Sequence, residues 1–201
     1  MSRVKICGLR RVEDIDAVNR ALPDFIGFVF AESRRRVDAG TAAMLKGMLD
    51  TRIKAVGVFV NQKIDYISAL RREGVIDIAQ LHGDEDGEYV RLLRENADCG
   101  VIKAVSVGKA LPALPEGADF LLFDTASAFR GGSGRTFDWS ILAGYTGLPY
   151  FLAGGLDISN VAEAVTMLEP YCADVSGGVE TDGFKDADKI NRFVQAVRRS
   201  R

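Results

Sequence analysis

Residues 120–139 read FLLFDTASAFRGGSGRTFDW. The apolar run 120–123 stops at Asp124 and gives way to a loop holding Gly131, Gly132 and Gly134, the pattern of a buried strand that delivers one carboxylate to its C-terminal end. Three glycines so close together cost backbone entropy unless a close approach or a positive φ is needed there, and a small anionic ligand is one thing that needs it. A turn capped by Asp124 is the other reading of the same letters.

Outward from this stretch one unit recurs in both directions: a short apolar run without alternation, a turn, then a segment with apolar residues three and four apart. The runs are 4–7, 25–30, 54–60, 77–81, 101–107, 120–123, 150–153 and 173–176, and the helical segments are 13–21, 39–49, 64–72, 88–96, 160–168 and 187–199. Strands of this kind, each followed by a helix, predict a parallel sheet covered on both faces. Eight such units in 201 residues favour an α/β fold of one kind, a small closed (β/α)8 TIM barrel, over an open doubly wound sheet. The fifth crossover helix is expected to be missing or rudimentary, because 108–118 reads GKALPALPEGA with Pro112 and Pro115 three apart. No linker, low-complexity tract or charge run divides the chain, so residues 1–201 are expected to form one domain.

A formal net charge of −2 offers no electrostatic case for nucleic acid or an anionic membrane as a partner. Cys7, Cys99 and Cys172 stand at unrelated spacings beside a single histidine, which suggests neither a disulfide framework nor a zinc site. No apolar run approaches the ~18 to 20 residues that span a bilayer, and the N-terminus lacks the apolar core of a signal peptide. A cytoplasmic protein is expected, with monomer and homodimer both open.

In a barrel, chemistry sits on the loops after the strands. The residues offered there are Cys7 and Gly8, Ser33 to Arg36, Asn61, Gln80 and His82, Asp124, Gly154 and Gly155, and Asp174 with Ser176, Gly177 and Gly178. The glycine pairs in AGGL and DVSGGVE follow the seventh and eighth strands, where barrels often bind phosphate through backbone amides and a short helix. Either pair could instead be a tight turn. Cys7 is core by default, as buried cysteines are; at a strand end before Gly8, a nearby cation or amide donor would lower its pKa and make it a base. Cys99 and Cys172 lie at strand entrances and read as structural. His82 and Gln80 suit substrate contact better than acid–base work. Asp174 suits ribose hydroxyls, or the satisfaction of loop amides from a buried strand end.

Together KICGL (5–9), GFVF (27–30) with Ser33-Arg34-Arg35, VGVFVN (56–61), QLHG (80–83), the 124–139 stretch, GGL and DVSGGVE resemble the phosphoribosylanthranilate isomerases of tryptophan biosynthesis, in order and over nearly the whole chain. KICG with D(x)6GGxGxxFDW is specific as a pair. The resemblance implies conversion of N-(5-phosphoribosyl)anthranilate to 1-(o-carboxyphenylamino)-1-deoxyribulose 5-phosphate by an Amadori rearrangement, with a small phosphoribosyl molecule as substrate and neither metal nor organic cofactor. It implies Cys7 as general base and Asp124 as general acid. It also implies an arginine for the anthranilate carboxylate: the pattern Ser-x-Arg-x-Val or Ile gives Arg35, and a loop one residue shorter hands the role to Arg36. A synthase of the same architecture would need a lysine–glutamate set on several strands, and a metal-dependent epimerase more than one histidine.

Overall fold

A computed structural model describes residues 1–125 and 136–200; the expected glycine loop at Gly131, Gly132 and Gly134 lies outside them. Eight parallel strands close into a barrel in chain order: β1 (Arg3–Cys7), β2 (Phe25–Val29), β3 (Lys54–Phe59), β4 (Ile78–Leu81), β5 (Gly100–Val107), β6 (Phe120–Thr125), β7 (Tyr150–Leu152) and β8 (Cys172–Val175). The helices that return the chain are α1 (Val12–Ala21), α2 (Ala39–Gly47), α3 (Ile64–Arg72), α4 (Gly87–Asn96), α5 (Val161–Leu168) and α6 (Ala187–Arg199). No helix among the described residues is long and apolar enough to cross a membrane.

Residues 108–119 contain no helix, as the two prolines require. The sixth crossover also departs from the repeat: its described part holds only a 3-10 turn, Trp139–Leu142, started by Asp138, whose carboxylate accepts from the Ser140 amide at 3.0 Å. After β8 the chain makes a hairpin of β9 (Glu180–Thr181) and β10 (Phe184–Lys185) before α6, where a short helix is common in phosphate-binding barrels.

Two apolar zones result from strand alternation. Outward-facing residues such as Val4, Ile6, Ile26 and Phe28 pack under the helices, and α6 contributes a buried stripe of Ile190, Phe193, Val194 and Val197. Each such side chain stabilises by about 1.5–3 kcal/mol relative to exposure. Inside the barrel, Phe25, Val56, Ile78, Ile102, Leu122, Phe151 and Cys172 form a separate cluster. Two residues further along several strands, the inward position turns polar: Ile78 is followed by Gln80 and then His82, Leu122 by Asp124, and Cys172 by Asp174. The barrel interior is therefore an apolar base beneath a polar upper level.

Candidate active site

Above that base a cavity of about 820 Å³ opens at the C-terminal ends of the strands, bordered by Cys7, Arg35, His82, Asp124, Asp174 and the glycines 154, 155, 177 and 178. Gln80 and Ser176 line it as well, and Arg36 does not. Arg36 is exposed and pairs with Glu32 at 3.3 Å. Arg35 is buried, and Glu180 holds it along one edge, accepting from Nε at 2.6 Å and from Nη2 at 2.9 Å. Arg34, largely solvated, reaches the same carboxylate at 3.3 Å.

Cys7 ends β1 beside Gly27 of β2, its register partner. A Cβ at Gly27 would lie 2.7 Å from the thiol sulfur, so the absence of a side chain there makes the space that Cys7 occupies. Burial pushes the Cys7 thiol up, while the cations of Lys5 and Lys185 pull it down. The net direction is upward, so the lowering expected from sequence is not reached in the free protein: the two ammonium groups are already engaged by carboxylates.

Asp124 ends β6. Its Oδ1 accepts from the Thr125 amide at 2.8 Å, and its Oδ2 lies 3.4 Å from Nε2 of His82. On the far ring nitrogen, Nδ1 of His82 lies 3.1 Å from Nε2 of Gln80, whose Oε1 accepts from Lys5 Nζ at 2.9 Å. Lys5 also donates to Asp174 Oδ2 at 2.8 Å and has no exposed surface. Burial would lower the Lys5 ammonium, but the Asp174 carboxylate overrides it and holds the group above the ordinary lysine value. Asp174 Oδ1, in contrast, is buried with no hydrogen-bond partner among the described residues.

The glycine loops meet at this cavity. Gly154 has φ +83°, and a Cβ there would lie 2.9 Å from Asp124 Oδ1; only glycine lets the turn after β7 pass so close to the carboxylate. The loop after β8 is joined to it by a bridge between Asp157 and Gly178. Lys185, from β10, donates to the Ser176 carbonyl at 2.9 Å and to Glu180 at 2.8 Å. Among the described residues no three histidine, cysteine, aspartate or glutamate side chains gather as a metal site requires.

The sequence-predicted residues Cys7, Arg35, Gln80, His82, Asp124, Asp174 and Ser176 thus border one space, with the four glycines, and Arg36 stands outside it. Sequence reasoning missed Lys5, Glu180 and Lys185. Lys5 had a signal, a lysine two residues before Cys7 within an apolar strand, which alternation turns to the same inward face. Glu180 and Lys185 had none beyond their nearness to the second glycine pair.

A family model described as N-(5'phosphoribosyl)anthranilate (PRA) isomerase matches residues 4–196. An N-(5'-phosphoribosyl)anthranilate isomerase of Endomicrobium trichonymphae is 50% identical over 199 residues, covering 98% of this chain and 99% of that protein. The crystal structure of phosphoribosyl anthranilate isomerase from Thermus thermophilus superposes with a TM-score of 0.85 at 33% identity, covering 99% of this chain and 100% of the other. A phosphoribosyl anthranilate isomerase in complex with reduced 1-(o-carboxyphenylamino)-1-deoxyribulose 5-phosphate matches with a TM-score of 0.82 at 31% identity, covering 98% and 99% of the two chains.

Proposed function

The chain belongs to the N-(5'-phosphoribosyl)anthranilate isomerase family, and from that premise we propose that Cys7 is the general base and Asp124 the general acid of its reaction. The reaction itself is the isomerisation of N-(5'-phosphoribosyl)anthranilate to 1-(o-carboxyphenylamino)-1-deoxyribulose 5-phosphate, in tryptophan biosynthesis. The observation that carries the assignment is that Cys7 and Asp124 border one cavity from strands separated by β7 and β8, with the glycine loops beside them.

Opening the furanose needs a proton on the ring oxygen. Asp124 supplies it, the C1–O bond breaks, and the anilino nitrogen's lone pair forms the iminium. That cation acidifies the hydrogen on C2, which Cys7 removes; the electron pair flows back to nitrogen and leaves an enolamine, which becomes the ketose when C1 takes up a proton and the hydroxyl on C2 gives one up. The substrate phosphate lies against Gly154, Gly155, Ser176, Gly177 and Gly178. Its anthranilate carboxylate meets Arg35, which borders the cavity, and not Arg36, which is engaged outside it. Oδ1 of Asp174, without a hydrogen-bond partner among the described residues, supports a contact to a ribose hydroxyl, since a buried acceptor left unmatched costs about 1–3 kcal/mol. His82 and Gln80 close the same wall of the cavity.

Mixing the protein with enzymatically generated phosphoribosylanthranilate and following loss of its fluorescence measures the activity. Cys7→Ala and Asp124→Ala are each expected to lower turnover by roughly 10² to 10⁴ with the far-ultraviolet dichroism of the wild type. Near-normal turnover in either variant overturns that residue's role.

A further inference from the structure

We propose that Gln80, oriented by Lys5, is a positioning residue that fixes His82 in the tautomer carrying its ring proton on Nε2, aimed at Asp124. The inference rests on Asp124 being the acid. Lys5 is fully buried and does not border the cavity, so it cannot touch the substrate and can act only through its neighbours. An ammonium only donates, so the Gln80 atom that meets it must be the carbonyl oxygen, here at 2.9 Å. The planar amide then turns its NH2 group to the other side, where it lies 3.1 Å from Nδ1 of His82. An NH2 group also only donates, so Nδ1 must accept, and the neutral ring carries its hydrogen on Nε2.

That hydrogen faces Asp124 Oδ2 across 3.4 Å. Oδ1 of the same carboxyl is already taken by the Thr125 amide. With a donor at each oxygen the carboxyl plane is defined before substrate arrives, and the loose His82 contact is of the kind that tightens in the Michaelis complex. A ring with its proton on Nδ1 would present a bare nitrogen to Asp124 and compete with the substrate for the acid's proton. One direction of hydrogen bonding therefore runs without interruption from the Lys5 and Asp174 pair to the catalytic carboxyl, and reversing any amide or ring along it breaks the sequence of donors and acceptors.

His82 is the only histidine of the chain, so its ring nitrogens are unambiguous in long-range proton–nitrogen spectra of 15N-labelled protein. The expected spectrum of the wild type shows protonated Nε2 and bare Nδ1. Gln80→Glu keeps the size of the side chain and its bond from Lys5, and its second oxygen can only accept from Nδ1. It is expected to move a proton onto Nδ1 and to lower kcat by about tenfold or more, with KM changed far less. Because Lys5→Met would leave the Asp174 carboxylate buried and unpaired, Gln80→Met is the second variant: it cuts the link and keeps that pair, and it is expected to give a mixture of tautomers with reduced kcat. A wild-type ring protonated on Nδ1, or either Gln80 variant with wild-type kcat, overturns the proposal. Asp124→Asn separates it from the reading beneath it. An inactive Asp124→Asn beside an unimpaired Gln80→Glu removes the relay and keeps the acid, whereas an active Asp124→Asn removes the acid whatever the ring signal.

Discussion

Cys7 is caught between opposed demands. Burial favours the neutral thiol, the charges of Lys5 and Lys185 favour the thiolate, and burial prevails. If Cys7 is the base, the ascending limb of kcat/KM against pH lies above the ordinary thiol value of 9.0, because kcat/KM reports the free enzyme. A limb complete by pH 8 would separate the thiol from the rate. This balance is not legible in the letters: KICG reveals a strand-end cysteine, but the partner that engages Lys5 is Asp174, 169 positions away, and sequence spacing carries no information on such a pair. Lys5 itself was legible as an oddity, a charged residue at an inward position of an apolar strand, and its purpose becomes plain only when Gln80 and Asp174 arrive from other strands.

The elements were the most legible level. Unbroken apolar runs and three-and-four spacing located eight strands and six helices to within two residues at either end, because a buried parallel barrel and its covering helices impose those two periods directly. The hairpin of β9 and β10 escaped, since strands of two residues have no period to detect. It is nonetheless the element that supplies Glu180 and Lys185. Burial works against ionisation of Glu180, yet hydrogen bonds from Arg35 and Lys185 hold its carboxyl down at about 2. A carboxyl lowered on folding contributes stability that is complete above its unfolded value, 4.5, and lost as pH falls toward about 2. Urea unfolding across that range is therefore expected to show the wild type losing stability more steeply than Glu180→Gln, the two curves converging at the acid end. Parallel curves would mean that the hairpin contributes nothing through this charge.

At the scale of the molecule, β1 and β8 close the barrel, and Lys5 and Asp174 are register partners across that closure. Removing one member of a buried pair strands the other charge, at a cost of about 3–5 kcal/mol. Asp174→Ala is expected to lose that much in equilibrium urea unfolding, and a loss under about 1 kcal/mol would mean that water reaches Lys5. The polar wall and the seam are thus one construction. Beneath both lies the plug of Phe25, Val56, Ile102 and Phe151, which leaves the chamber with a floor. Whatever enters through the rim has to depart through the rim, so the ketose waits in the doorway that the next aldose needs, and competition between product and substrate is built into the architecture.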